Sequence, residues 1–312
     1  MGMTATATEG IHDGYRWVEQ RCPTCEIKPA TRVGRRGGGA HREGLGVESE
    51  IWRCNKCGLI FPDPMPIPVN GLGQHYDMDA DEYFQGHDKQ AKIDAAVDLV
   101  RKAEELFGRK GKLLDVGVGR GEILIAAKGD GWEVEGVEPS ETFADYAEKR
   151  TGAKIWRQPI EEADIPEGEF DVVILAAVLE HLYNPNEIMA KIARVLRPGG
   201  LLYLDVPNER GLFFRMGNLY QKLRGRDWCV NLSPTFPPFH IFGFSPVSLR
   251  KLLNKHSLEP KVWTVYAGKS MVPSRGGHVG SFESLAAKAV SAISSVGEMG
   301  TYIETWAVKK KG

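Results

Sequence analysis

From about residue 112 onward, short apolar runs alternate with segments whose apolar residues recur every three or four positions. The runs Lys112–Val116, Trp132–Val137, Ala153–Trp156, Phe170–Ala176, Leu201–Val206, Lys261–Tyr266 and Tyr302–Lys309 read as strands. Phe170–Ala176 is almost wholly apolar, as expected of a strand buried on both faces. Between the runs, helices are expected after Gly121, from Ser140 to Arg150, from Asn186 to Leu196 and from Ser245 to about His256. Ser140 is a candidate N-cap, Ser245-Pro246 offers an N-cap with proline at the first helical position, and Arg197-Pro198-Gly199-Gly200 terminates a helix. Upstream, Ile93, Val97, Val100 and Phe107 recur near helical spacing and predict a helix from about Lys89 to Phe107. Such alternation implies an α/β fold: a doubly wound, mostly parallel seven-stranded sheet with helices on both faces.

The pattern breaks in four places. Residues 1–10 read as a disordered leader. Arg35-Arg36-Gly37-Gly38-Gly39 reads as a hairpin tip, solvated or touching a small anion. The segment Phe61-Pro62-Asp63-Pro64-Met65-Pro66-Ile67-Pro68 excludes helix or central strand, because its prolines lack N–H donors; it is expected to be a stiff linker. Tyr76 and Asp81-Glu82-Tyr83-Phe84 follow, with packing against the main domain as the default. A long aromatic and proline-rich insertion, 207–245, interrupts the alternation. The resulting domains are a module at 11–62, a linker and helical segment at 63–108, and the main domain at 109–312.

Composition narrows the picture. With 40 Lys+Arg against 41 Asp+Glu there is no global field for nucleic acid or an anionic membrane. No apolar run approaches ~20 residues, so no membrane span is expected, and the reading is a cytoplasmic protein. Of 5 cysteines, four form two C-x2-C pairs, Cys22/Cys25 and Cys54/Cys57, with Gly58 fitting the tight turn of the second. Four thiolates at this spacing suit a closed tetrahedral structural zinc better than disulfides. Cys229 stands apart and reads as buried.

Candidate chemistry gathers at the carboxyl ends of the strands, where open α/β sheets bind ligands. The stretch Asp115-Val116-Gly117-Val118-Gly119-Arg120-Gly121 is a strand, a glycine turn and a helix start. Its glycines run G-x-G-x-G rather than G-x-G-x-x-G, and a carboxylate two residues before the first suits an amine-bearing ligand rather than a pyrophosphate. Glu138, closing the second strand, can accept hydrogen bonds from both ribose hydroxyls. Pro159-Ile160-Glu161-Glu162-Ala163 is placed to cover a flat base. An amine-bearing nucleoside without phosphates, S-adenosylmethionine, fits all three.

Asp115-Val116-Gly117-Val118-Gly119-Arg120-Gly121, Glu138, Ile160-Glu161-Glu162-Ala163, Phe170-Asp171-Val172-Val173, Leu179-Glu180-His181-Leu182, Leu196-Arg197-Pro198-Gly199-Gly200 and Val206-Pro207-Asn208 occur in an order that resembles class I S-adenosylmethionine-dependent methyltransferases. The resemblance covers roughly 110–265. It implies that Gly117, Gly119 and Gly121 line the methionine moiety and that Glu138 binds ribose; Asp115 and Pro139, beside them, are expected to contact the cofactor as well. It also implies that Ile160 and Glu161 flank adenine and that Ala177 and Val178 pass under the cofactor. The double knuckle followed by a proline-rich segment resembles a subgroup associated with sugar and polysaccharide biosynthesis, which implies a carbohydrate-linked small-molecule acceptor.

Methyl transfer to a hydroxyl needs alignment and a proton acceptor. His181 is the first candidate base, with a hydrogen-bonded loop histidine as its structural alternative; His240, in the insertion, is the second, against a packed loop histidine. Tyr183 and Asn208 are candidates to orient the acceptor, each with a capping or turn role available. Arg210, Arg224 and Arg226, among the insertion's aromatics, suit a phosphate or carboxylate, or else form the solvated face of an amphipathic helix. Two other readings stay open: a ribosomal or transfer-RNA methyltransferase whose zinc module grips RNA, and a cofactor-fold interaction protein without turnover. Charge balance argues against the first.

Overall fold

A computed structural model describes residues 11–12, 14–40, 44–72, 89–232, 239–267 and 297–311. The expected leader, Tyr76 and the 81–84 segment lie outside these residues. The chain forms two compact units. One comprises Met1–Ile67, Asp205–Lys251 and Trp263–Glu304; the other comprises Pro68–Leu204, Leu252–Val262 and Thr305–Gly312. In chain order the strands are β1 (Ile11–His12), β2 (Tyr15–Val18), β3 (Thr31–Arg36), β4 (Ser49–Arg53), β5 (Ile60–Pro62), β6 (Met65–Pro68), β7 (Lys112–Val116), β8 (Glu133–Val137), β9 (Lys154–Trp156), β10 (Phe170–Ala176), β11 (Leu196–Pro207), β12 (Leu258–Tyr266) and β13 (Tyr302–Lys309). The helices are α1 (Lys89–Phe107), α2 (Glu122–Gly129), α3 (Glu141–Thr151), α4 (Pro185–Val195), α5 (Leu212–Leu223) and α6 (Pro246–Lys255).

The seven-stranded sheet has the order β12-β13-β11-β10-β7-β8-β9. β7 pairs in parallel with β10, Asp115 opposite Ile174, and with β8, Asp115 opposite Gly136. β8 pairs in parallel with β9. The chain therefore winds outward from β7 to β9, then returns to the other side of β7, and this reversal opens a crevice at the carboxyl ends of β7 and β10. Hydrogen bonds join Tyr266 to Thr301, Val262 to Thr305 and Ser257 to Lys310, a series running in opposite directions, so β13 is antiparallel to β12. The core on one side of β7 joins Leu113, Leu124, Ala127, Trp132, Val172 and Ile174 to Trp306, whose ring centroid lies 4.9 Å from that of Tyr203.

Local signals set the element ends. The Ser140 hydroxyl accepts from Phe143 N–H and starts α3; Asn184 does the same for Glu187 and α4, with Pro185 at the first helical position. α4 ends at Val195, one residue before the expected Leu196, and Arg197-Pro198-Gly199-Gly200, expected to terminate the helix, also begins β11: Leu196 is already extended at φ −69°, ψ 140°.

In the first unit, β3, β4 and β5 form an antiparallel sheet, and β1, β2 and β6 a second one. Two expectations change here. The proline-rich stretch is not a linker but two strands, β5 and β6, each at the edge of its sheet, where a missing N–H costs no ladder bond. Arg35 and Arg36 are not at a hairpin tip but in β3. There Arg35 O accepts from Cys229 N–H, while Arg36 donates from Nε to Leu232 O at 2.9 Å and from Nη1 to Cys229 O at 3.2 Å. Cys229 is buried as expected, and burial pushes its thiol up to about 12.

Candidate functional site

Gly117, Gly119 and Gly121 all take positive φ, at 78°, 54° and 80°. At Gly117 a Cβ would stand 2.7 Å from Val178 Cγ2, so only glycine lets the loop after β10 close on this turn. The amides of the turn are already engaged. Gly117 N–H donates to Val137 O at 2.8 Å, Gly121 N–H to Val118 O at 2.9 Å, and Gly119 N–H to Glu138 Oε2 at 2.8 Å. A phosphate cradle needs such donors free and aimed outward. The three glycine amides of this turn are spent internally, so they do not form such a cradle.

Glu138 is fixed at both oxygens. Oε2 takes Gly119 N–H and Oε1 takes Ser140 N–H at 3.0 Å. Asp115 is the reverse case: it is 1% exposed, and neither carboxylate oxygen has a hydrogen-bond partner among the described residues. Burial, and then the charges of Glu138 and Glu122, hold its carboxyl well above the usual carboxylate range. A buried acid facing two acids and, among the described residues, no hydrogen-bond donor is a ready partner for a positively charged or N–H-bearing ligand.

The loop after β9 is pinned by a residue the sequence reading missed. Lys191, on α4, donates from Nζ to Ile160 O at 2.6 Å and to Glu161 O at 3.3 Å. Its signal was a lysine at the border of the apolar stripe Ile188–Ile192–Val195, within reach of the preceding loop. Ile160 is buried, and burial raises the Glu161 carboxyl. Ala177, just past β10, takes φ +53° and turns the chain so that Val178 reaches Gly117. His181 follows in a short 3₁₀ turn, its N–H donating to Val178 O and its Nε2 lying 4.0 Å from the buried Glu180. Tyr183 is half-buried in the same unit. Pro139 sits half-buried beside Glu138.

The first unit holds the remaining candidates. The sulfurs of Cys22, Cys25, Cys54 and Cys57 all lie within 4.8 Å of one another, and Cys22 Sγ is 3.5 Å from Cys57 Sγ. Zinc arms of ~2.3 Å give a tetrahedron with an edge of about 3.8 Å, so the four thiols are spaced for that ion. Both knuckles use one backbone pattern. Cys22 N–H donates to Ile27 O and Cys54 N–H to Leu59 O, while the fourth residue after each leading cysteine takes positive φ, Glu26 at 60° and Gly58 at 79°. Burial, then a hydrogen bond with Cys57, pushes the Cys25 thiol up to about 11. Crowded thiols resist ionising together until a cation balances them.

The Arg210 side chain crosses Gly58, where a Cβ would stand 2.9 Å from its Nη1. Asn208 is buried, with Nδ2 donating to Glu298 O at 3.1 Å and Gly300 O at 2.7 Å, and Oδ1 accepting from Arg210 N–H. Its side chain therefore holds the turn between β11 and α5. Arg224 and Arg226 are exposed beyond the end of α5, and Arg224 Nη1 donates to the Tyr220 hydroxyl at 2.9 Å. His240 lines a small cavity of about 40 Å³ with Arg36, Ser49, Ile51, Pro66 and Ile241. Sequence reasoning also missed Glu209, whose Oε2 accepts from Asn231 Nδ2 at 2.9 Å and Leu232 N–H at 3.1 Å. Complete burial pushes its carboxyl up to about 7.

A family model described as a methyltransferase domain matches residues 86–260. The chain is 26% identical over 171 residues to the ubiquinone biosynthesis O-methyltransferase of Dechloromonas aromatica, a match covering 53% of this chain and 71% of that protein. It is 31% identical over 111 residues to the putative methyltransferase YqeM of Bacillus subtilis, covering 33% of this chain and 45% of the relative. Among solved structures, it is similar to a methyltransferase with bound S-adenosylhomocysteine, the 1,6-didemethyltoxoflavin N1-methyltransferase of Burkholderia thailandensis. Identity is 19%, the TM-score 0.47, and the match covers 74% of this chain and 84% of that one.

Proposed function

The chain belongs to the S-adenosylmethionine-dependent methyltransferase family, and from that premise we propose that it methylates a hydroxyl of a small-molecule acceptor, of the sugar, nucleotide-sugar or glycan class. The observation that carries the cofactor half is Asp115, a buried carboxylate with no hydrogen-bond partner among the described residues, beside a turn whose glycine amides are engaged. Bound there, S-adenosylmethionine supplies a methyl on a positively charged sulfur. Asp115 would accept from the methionine ammonium, Glu138 from the ribose hydroxyls, and Ile160 would cover the adenine, with Gly117, Gly119, Gly121, Ala177 and Val178 shaping the floor. His181 is proposed to take the proton of the acceptor hydroxyl, with His240 as the second candidate and Arg210 as a contact for an anionic group on the acceptor. O-transfer is supported by the names of the relatives, and the carbohydrate class by the double knuckle and the proline-rich stretch that follows it.

Calorimetry with S-adenosylhomocysteine tests the cofactor half. Binding near one molecule per chain, weakened at least tenfold by Glu138→Gln, is expected; no binding overturns it. His181→Ala with undiminished turnover removes that residue from the base role. The four cysteines are proposed to hold one structural zinc, and metal analysis finding far less than one zinc per purified chain overturns that assignment.

A further inference from the structure

Helix α5 carries four large apolar side chains on the outside. Met216 is 51% exposed, Leu219 57%, Tyr220 53% and Leu223 78%. At helical steps these four fall within an arc of about 100°. The opposite face, with Phe214 and Gln221, is the buried one. Such a stripe is the reverse of a surface helix folded only against its own core, and nothing in the cofactor site or the cysteine cluster uses it.

Charge frames the stripe. Arg215 and Lys222 lie along one margin, and Arg224 and Arg226 follow the last turn; all four are exposed. The segment Leu212–Arg226 contains no Asp or Glu, in a chain whose formal net charge is −1. Asp227 is the first acid after it, and it is held by Arg32 through two hydrogen bonds of 2.6 and 2.7 Å. Tyr220 stands at the stripe's edge with its hydroxyl bonded to Arg224 Nη1. An apolar ridge, long cationic side chains at its margins and a tyrosine at the boundary match an anionic bilayer surface, where hydrocarbon lies beneath a plane of phosphates. At Met216, Leu219 and Leu223 the ridge offers no side-chain donor, and no acceptor beyond the weak thioether of Met216, by which a protein partner would be specified.

We infer that α5 is an interfacial helix, docking the protein on anionic lipid with Met216, Leu219 and Leu223 in the headgroup boundary and Arg215, Lys222, Arg224 and Arg226 on phosphates. Peripheral docking of this kind needs no spanning segment, and no helix among the described residues is long and apolar enough to cross a membrane. The docking stands apart from the methyl-transfer assignment and survives its failure.

Co-sedimentation of the full chain tests it, using vesicles of phosphatidylcholine alone and of equal parts phosphatidylcholine and phosphatidylglycerol. Binding to the mixed vesicles, little binding to phosphatidylcholine and strong weakening by salt are expected. The double variant Leu219→Glu, Leu223→Glu should lose at least tenfold in binding, and each of Arg215→Gln and Lys222→Gln about fivefold. All four positions are exposed, so thermal unfolding should not move. Equal binding to both vesicles, no binding to either, or full binding by the double glutamate variant overturns the inference. So does self-association that the same double variant abolishes, which would assign the ridge to a second copy of the chain.

Discussion

Asp171 and Asp115 lie on neighbouring strands of one sheet, each only 1% exposed, and their surroundings are opposite. Asp171, near the start of β10, accepts from Arg109 Nη2 at 3.0 Å, Arg197 Nη1 at 2.9 Å and Lys112 N–H at 2.9 Å. Asp115, near the end of β7, accepts from nothing among the described residues. A buried acid surrounded by donors belongs to folding, and one left without them is held for something that arrives later. Glu209 in the other unit lies between the two: its Oε2 accepts from the neutral donors Asn231 and Leu232, and burial outweighs these bonds and the charge of Arg36, so the carboxyl is held toward its protonated form. Burial alone does not separate these acids; what each oxygen accepts from does.

The sharpest break in this comparison is Asp171→Ala. It strands two arginines and a backbone amide, and should lower stability by about 3 kcal/mol, the low end for a buried pair because Arg109 and Arg197 reach solvent. Affinity for S-adenosylhomocysteine in the folded protein should not change. A urea midpoint that stays in place would remove the distinction between the two ends of the sheet.

Glu209 gives an effect of the same order or smaller, visible in pH. Its folded pKa of about 7 lies above an unfolded value near 4.5, so the native state holds the extra proton between them. Stability contributed by this group is therefore full below about pH 4.5 and is lost as pH rises through 7, on the order of 3 kcal/mol in all. Glu209→Gln keeps the shape without the titration. The difference in unfolding free energy between variant and parent should grow in the variant's favour from pH 5 to 8; a flat difference contradicts the assignment.

Asp115→Asn comes next. In the free protein the acid is already pushed toward its neutral form, so stability should move by less than about 1 kcal/mol. Cofactor binding should weaken by about tenfold or more, because the ammonium loses an ionised partner. For the parent, a cationic ligand draws the Asp115 proton off, so affinity should rise with pH and calorimetry in buffers of different ionisation enthalpy should report proton release. Pairing Asp115→Asn with Asp171→Ala makes the contrast direct, one changing binding without folding and the other folding without binding.

Much of this was legible in the sequence, and the remainder has a physical reason. Alternating apolar runs fixed the strand series because a buried parallel sheet leaves little choice of residue, and Ser140 declared its cap. The C-x2-C pairs brought their four thiols together as the spacing predicts. Prolines 62, 64, 66 and 68 misled because the loss of an N–H argues only against central strands; edge placement is decided by tertiary pairing. Arg35 and Arg36 beside three glycines looked like a solvated tip, since the carbonyls of Cys229 and Leu232 that receive Arg36 lie nearly two hundred residues away. The commitment of the glycine amides was equally invisible: the G-x-G-x-G spacing reveals the turn, but whether its donors face a ligand or Val137 and Glu138 is decided by the pairing of β7 with β8.

Lys191 supplies the smallest and most local test. It sits on α4 among Ile188, Ile192 and Val195, and its ammonium ties down the backbone of Ile160 and Glu161. Lys191→Met keeps the packed stem and removes only those two hydrogen bonds, which should cost about 1 kcal/mol of loop order. If Ile160 covers the adenine, that cost falls on cofactor binding, and KM for S-adenosylmethionine should rise about fivefold while kcat holds. A fall in kcat at constant KM would mean that this loop serves the transferred methyl rather than the base, and the roles assigned to the loops after β9 and β10 would have to be exchanged.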